Sequence, residues 1–132
     1  MRLTLTTALL AATVGAQAET PPDFEKLFAT QAQQENPAFV GFSAEQGQRF
    51  YARTHGKDWS CASCHGRSPS AIGQHVATGK TLAPLAPAAN PERFTRPDKV
   101  EKWFKRNCNE VLGRSCTAQE KGDVLAYLLT VR

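Results

Sequence analysis

The feature that most constrains this chain is a run of five residues near its middle, Cys61-Ala62-Ser63-Cys64-His65. The run matches the C-x-x-C-H pattern of c-type haem attachment. Two thiols at this spacing can each add to one of the two haem vinyl groups, and the adjacent imidazole can then reach the iron as proximal ligand. We therefore predict one covalently bound haem c, held by Cys61, Cys64 and His65.

Two other kinds of site use similar residues. A redox C-x-x-C motif is expected in a βαβ setting, and the sequence does not indicate one. A zinc site needs two further ligands at short, regular spacing. The remaining cysteines, Cys108 and Cys116, are eight residues apart. The haem interpretation is therefore favoured over both alternatives.

The N-terminus indicates export. A basic start is followed by an uncharged apolar run and by Ala16-Gln17-Ala18, which has the small-x-small form of a cleavage site. We predict a secretory signal peptide over residues 1–18, cleaved near Ala18, and one haem domain over 19–132 in the periplasm. The apolar run is too short for a membrane span, and no later segment reaches the necessary length. The formal net charge of +4 is too small to indicate nucleic-acid binding.

Hydrophobic spacing predicts an all-α fold with four helices. The first covers 23–34 and the second 43–53; the third begins near Pro97 and the last at Thr117. A bare glycine inside the second helix, Gly47, costs helix stability and so indicates that another backbone approaches closely there. We expect the second and last helices to cross at Gly47 and Leu125. No segment alternates convincingly as a strand.

The segment between the second and third helices is rich in turn residues. Residues 66–91 contain four prolines and three glycines and show no clear periodicity. So long a segment without regular structure is unusual in a compact domain. It is reasonable here if the segment wraps the haem.

Cys108 and Cys116 are expected to form a disulfide, because an exported protein meets an oxidising environment. Closing a loop of about nine residues contributes roughly 2.5 kcal/mol in the chain-entropy model. A redox-responsive switch is the alternative interpretation of the pair.

The sequence also limits which residues can be the sixth ligand of the iron. Met1 is the only methionine of the chain, so the domain has none to serve as the usual ligand of an electron-transfer cytochrome c. His55, His75, a lysine or another polar side chain remain. Asn107 lies one turn after Trp103, on a face with apolar residues, so its neutral amide projects among them. The alternative for such an asparagine is that it caps its own helix backbone.

Several segments resemble the sphaeroides haem protein family, which consists of small periplasmic monohaem cytochromes c of class I type. The resemblance covers about Ser60 to the C-terminus. Besides C-x-x-C-H, it is carried by Thr78–Pro87, Asn90–Thr95, Val100–Phe104, Arg106-Asn107-Cys108-Asn109 and Gly113–Cys116. It implies a class I cytochrome c-like helical fold around the haem, the Cys108–Cys116 disulfide, and Asn107 as the iron ligand opposite His65.

The resemblance also implies a function, because this family is known to release its asparagine on reduction and to bind small diatomic molecules. An amide oxygen is a hard, weak donor that suits ferric iron better than ferrous iron. We therefore predict that reduction by a partner cytochrome weakens the iron–Asn107 bond and admits O2, NO or CO. The alternatives are a simple electron carrier with a saturated haem, for example through His75, and a small peroxidase or NO-detoxifying enzyme. An enzymatic role is the less favoured.

Further residues are assigned to the surroundings of the haem. Thr78, Lys80 and Arg93 are expected either to hydrogen-bond the propionates or to face solvent, and Trp103 is assigned to the haem contact. A carbonyl within 83–85 is expected to accept the second imidazole N–H of His65. The third helix also carries a basic group, which either is a solvated face or steers an acidic redox partner. This group consists of Lys99, Lys102, Lys105 and Arg106.

Overall fold

The computed structural model describes residues 18–132 and is predominantly helical. The predicted signal segment therefore lies outside the described residues, apart from Ala18. Five helices and two short strands follow one another: α1 (Pro21–Glu35), α2 (Ala44–Ala52), α3 (Cys61–His65), β1 (Gly73–Gln74), β2 (Thr81–Leu82), α4 (Pro97–Leu112) and α5 (Ala118–Thr130). The all-α prediction is confirmed. No described helix is long and apolar enough to cross a membrane.

The ends of the helices follow from local capping. α1 begins at Pro21, two residues earlier than predicted, because proline is well suited to the first turn of a helix. The Thr20 N–H donates to Asp23 Oδ2 (2.9 Å) at this end. The predicted start of α5 is confirmed, since Thr117 and Glu120 form a reciprocal capping box.

The core lies where α1 and α2 pack against α5. Its largest fully buried side chains include Phe24 and Phe28 of α1, Tyr51 of α2, and Leu125 and Leu128 of α5. Burying a side chain of this size contributes about 1.5–3 kcal/mol. α4 joins this core through Phe104, whose ring meets that of Phe28 edge-on at 5.6 Å between centroids.

Helices α2 and α5 cross at Gly47, as predicted, but Gly47 meets the backbone of Asp123 and Val124 and not that of Leu125. A Cβ placed on Gly47 would overlap the backbone carbonyl of Asp123 and would lie only 2.9 Å from Val124 N. The two backbones therefore touch at a point where no side chain fits. Asp123 strengthens the same crossing, because its Oδ1 accepts a hydrogen bond from Ser43 N (2.7 Å) at the start of α2.

The segment 66–91 is less irregular than predicted. Strands β1 and β2 pair antiparallel, with Gly73 opposite Leu82 and Gln74 opposite Thr81. Strands of two residues are too short to show alternation in the sequence, which explains why they were not predicted. The segment is also tied to itself, since Leu85 N and Ala86 N both donate to Pro69 O (2.8 and 2.9 Å).

Cys108 and Cys116 form a disulfide with their Cα atoms 5.6 Å apart. Both cysteines are buried, with exposed fractions of 4% and 9%. Between them, α4 is capped after Leu112 by Gly113, which has the left-handed conformation (φ +75°) that favours glycine. The bridge thus closes the turn between α4 and α5.

We expect the double substitution Cys108→Ala/Cys116→Ala to lower the free energy of unfolding by about 2.5 kcal/mol, because the unfolded chain regains the entropy of the open loop. Urea unfolding of the holoprotein measures this loss. A thiol reductant strong enough to open the bridge should bring the wild type to the level of the variant and leave the variant unchanged. Equal stability of the oxidised wild type and the variant would contradict this role.

Candidate functional site

The predicted attachment residues lie on α3, a five-residue helix that the sequence analysis did not predict. It starts with a reciprocal cap, in which Ser63 N donates to Ser60 Oγ (3.2 Å) and Ser60 N donates to Ser63 Oγ (2.9 Å). It ends at Gly66, where φ is +77°. Cys61 and Cys64 are three positions apart, so they share one side of the helix. Both thiols are free and half-buried.

Two contacts fix α3 to the rest of the protein. The hydroxyl of buried Tyr51 donates to Gly66 O (2.7 Å), which ties the end of α3 to α2. On the other side, Gly73 of β1 packs directly against the helix backbone. A Cβ on Gly73 would overlap the carbonyl of Cys64 and would lie 2.9 Å from the Cα of His65. The attachment motif therefore sits on a rigid support.

Burial determines the protonation of the motif. It lowers the pKa of His65 to about 4, and the nearby charges of Arg93 and His75 act in the same direction. His65 is therefore neutral at physiological pH, which is the form that binds iron. Burial raises the pKa of Cys61 to about 11. A redox C-x-x-C motif depends on a cysteine with a lowered pKa, so this environment does not favour that alternative.

Arg93 donates hydrogen bonds to two of the backbone carbonyls that we expected to accept from His65. Its Nε donates to Pro84 O (2.9 Å) and its Nη2 to Ala83 O (2.9 Å), while Asn90 Nδ2 also donates to Pro84 O (3.3 Å). Arg93 thus holds the loop after β2 and brings a positive charge near His65. The hydrogen bond from His65 to this loop stays a prediction.

Thr78 and Lys80 lie in the turn between β1 and β2, and both are exposed. The turn is closed by His75, whose N–H donates to Lys80 O (2.8 Å) and whose carbonyl accepts from Gly79 N (2.8 Å). Arg93, in contrast, is half-buried, and its side chain is hydrogen-bonded to the loop after β2. The assignment of Thr78, Lys80 and Arg93 to the haem propionates stays a prediction.

Two asparagines near the end of α4 differ in their surroundings. Asn107 is half-buried, and its neighbours Cys108 and Val111 are buried. Its side chain forms no hydrogen bond to any residue in 18–132. Asn109 is exposed, and its Nδ2 donates to Lys105 O (2.9 Å) one turn back. The alternative for Asn107 was a hydrogen bond to its own helix backbone. Asn109 makes such a bond, and Asn107 does not make one within residues 18–132.

Both of the other histidines have neighbours that fix their rings. His55 Nε2 lies 2.8 Å from Phe50 O, at the end of α2. His75 Nδ1 accepts from Ala77 N (3.2 Å), so Nε2 carries the proton in the neutral ring. This buried Nε2 lies 3.2 Å from Glu110 Oε1, without the geometry of a hydrogen bond in the described structure.

Glu110 is the residue that the sequence analysis missed. It follows Asn107 by three positions on α4, so the two residues lie on neighbouring parts of the helix surface. The ring of His75 also lies near that of Trp59, at 6.5 Å between centroids and steeply inclined to it. The sequence carries no local signal for the pairing of His75 with Glu110, because the two residues lie in distant segments.

Trp103 does not share the buried face of α4. It is 41% exposed, whereas Val100 is 8% exposed. At about 100° per residue, Trp103 falls at the margin of the buried stripe that contains Val100, Phe104 and Val111. Its assignment to the haem contact stays a prediction.

The described residues provide a donor set that fits a covalently bound haem. Two free thiols and a neutral imidazole lie on one rigid helix, and α4 supplies an amide with no hydrogen-bond partner in 18–132. A cleft of about 560 Å³ opens beside α3, with Cys64, Gly73 and His75 in its wall. Within the same residues, no three His, Cys, Asp or Glu side chains are grouped to hold a metal ion.

Comparison with known proteins gives concordant results. Residues 37–128 match the family described as a domain of unknown function, DUF1924. The chain is 43% identical over 99 residues to cytochrome c'' of Methylophilus methylotrophus, covering 72% of this chain and 69% of that protein. It is 51% identical over 89 residues to the cytochrome c-type protein SHP of Cereibacter sphaeroides, covering 64% of this chain and 68% of that protein.

Solved structures of the same two relatives are also similar. The structure of oxidised SHP, described as an oxygen-binding cytochrome c, has a TM-score of 0.75 at 38% identity and covers 86% of this chain and 98% of its own. The solution structure of cytochrome c'', described as giving insights into haem-ligand detachment, has a TM-score of 0.74 at 38% identity, with coverages of 83% and 92%. These likenesses confirm the class I cytochrome c-like fold.

Proposed function

Since this chain belongs to the sphaeroides haem protein family of c-type cytochromes, we propose that it is a periplasmic cytochrome that exchanges its own Asn107 for a diatomic gas when its iron is reduced. One haem c would be bound by Cys61 and Cys64, and its iron would be held by His65 and Asn107. The observation that carries the proposal is the half-buried carboxamide of Asn107, which has no hydrogen-bond partner within residues 18–132.

Each of the four residues has a distinct task. Cys61 and Cys64 would hold the haem by thioether bonds, and His65 would bind the iron through its neutral ring. The haem would supply an iron that changes by one electron and has a sixth position open to ligands. Asn107 would close that position in the oxidised protein with a hard but weak oxygen donor.

Release of Asn107 on reduction follows from the preferences of its oxygen atom. Ferrous iron favours softer ligands than an amide oxygen, so Asn107 would be held less tightly in the reduced protein than in the oxidised one. This difference in how well Asn107 is retained would couple reduction to gas binding. SHP is described as oxygen-binding and cytochrome c'' is linked to haem-ligand detachment, which supports the same behaviour here.

The competing ligands support this assignment by their own contacts. Asn109 bonds to Lys105 O, and His55 bonds to Phe50 O at the end of α2. His75 is turned toward Glu110 and is fixed by the N–H of Ala77. An electron carrier saturated by His75 would need this ring to leave both neighbours.

Absorption spectra of the ferric and ferrous holoprotein, with and without CO, test the proposal. We expect a six-coordinate low-spin ferric protein that becomes high-spin and binds CO when reduced. Asn107→Ala should lose the low-spin ferric spectrum, whereas the control Asn109→Ala should keep it. Asn107→His should stay low-spin on reduction and weaken CO binding roughly tenfold or more, because imidazole is retained by ferrous iron.

Two spectroscopic results would contradict the proposal. If Asn107→Ala keeps the wild-type ferric spectrum, another residue is the sixth ligand. If the reduced wild type stays six-coordinate and takes up no CO, the protein is a simple electron carrier.

A further inference from the structure

The outer side of α4 carries four exposed cations. At about 100° per residue they fall within an arc of about 120°, a third of the helix circumference. None of the four forms an ion pair with a carboxylate of the described chain. We call them the basic face of α4: Lys99, Lys102, Lys105 and Arg106.

The carboxylates of α4 do not neutralise this face, because each is engaged elsewhere. The pairs are Asp98 with Arg96 (2.8 Å), Glu101 with Lys121 of α5 (3.0 Å), and Glu110 beside His75 (3.2 Å). The basic face therefore presents a local surplus of positive charge to solvent, and its field is screened only by salt.

Trp103 lies between this face and the candidate site. Lys102 Nζ is 5.9 Å and Arg106 Cζ is 5.5 Å from the centroid of its ring. Cations at this distance are attracted to the face of an indole, which restrains them at the edge of the helix. Asn107 follows Trp103 by one turn. The basic face thus adjoins the residue that is proposed to face the iron.

We propose that the basic face of α4 is the docking surface for an acidic electron-donor protein. The inference rests on the proposed function, because it requires the haem to lie beside Asn107. A carboxylate-rich surface is attracted to unpaired cations, and such complementarity raises the association rate mainly at low salt. A donor docked here would lie on the side of the domain that carries Asn107.

The rate of electron transfer from an acidic donor tests the docking surface. The probe is a reduced plant-type ferredoxin, which is acidic and a strong one-electron reductant. It is mixed with ferric holoprotein in a stopped-flow experiment over a range of ionic strength. We expect Lys102→Gln/Arg106→Gln to lower the second-order rate on the order of tenfold at low salt. The difference from the wild type should vanish at high salt.

Two controls separate docking from other effects. Lys26→Gln/Arg53→Gln removes the same charge from exposed residues of α1 and the end of α2, and should change the rate little. Lys102→Arg/Arg106→Lys keeps the charge and should keep the wild-type rate. A slower rate in both neutralised doublets would mean that only net charge matters and would overturn the proposal.

Spectra and reduction potential make the result independent of the gas-binding proposal. The Gln doublet should keep the wild-type potential, spectra and CO binding. A changed potential with an unchanged salt dependence would mean that these cations act on the haem and not on the donor. If the wild type binds no CO, the proposed function fails, yet the salt-dependent difference between the doublets still decides whether the basic face docks the donor.

Discussion

Gly47→Ala is expected to cost about 3–5 kcal/mol of unfolding free energy, a large fraction of the total stability of a domain. The added Cβ would overlap the carbonyl of Asp123, and backbone atoms cannot move aside as a side chain can. The crossing of α2 and α5 would have to open, and this crossing joins the two most extensively packed helices of the fold. Urea unfolding followed by far-UV circular dichroism measures the loss.

Gly122 of α5 provides a matched comparison, because its close neighbour lies just before α2. A Cβ on Gly122 would overlap the ring of Phe42, which is a side chain. Gly122→Ala should therefore destabilise less than Gly47→Ala, and adding Phe42→Ala should relieve the overlap. Gly47→Ala within about 1 kcal/mol of the wild type would show that the helices do not meet as described.

The double substitution Cys61→Ser/Cys64→Ser is expected to abolish covalent haem attachment completely, because serine hydroxyls do not form the thioether bonds. Haem staining after denaturing electrophoresis, together with acid–acetone extraction, detects the loss. Each single substitution should leave one bond, so that haem still migrates with the chain.

The second pair of cysteines is the control for this experiment. Cys108→Ser/Cys116→Ser should lose stability but retain covalent haem, because these cysteines bond to each other. Haem that remains attached in the Cys61→Ser/Cys64→Ser protein after denaturation would mean that the attachment site lies elsewhere.

Strong local signals in the sequence predicted much of this architecture. Gly47 indicated a close backbone approach, and the crossing with α5 is there. Thr117 indicated the start of α5, and Cys108 and Cys116 pair as expected. The helix start and the disulfide depend on residues that are close in the sequence. The helix crossing depends on one steric requirement, the absence of a side chain.

Contacts between distant segments could not be predicted in this way. The approach of His75 to Glu110 depends on how β1 and α4 are placed relative to each other, and no local pattern encodes that distance. Arg93 likewise reaches Pro84 only because the loop between them folds back. The exposure of Trp103 could not be predicted either, because a residue at the margin of a helical stripe can face either core or solvent.

The four cysteines also impose a requirement on biosynthesis. All of them pass through an oxidising compartment if the chain is exported, yet only one pair should end as a disulfide. Cys108 and Cys116 are buried, whereas the thiols of α3 are half-buried and accessible to exchange. A host used for production must therefore keep Cys61 and Cys64 reduced until haem is delivered, and the mild reductant that does so will spare the sheltered pair.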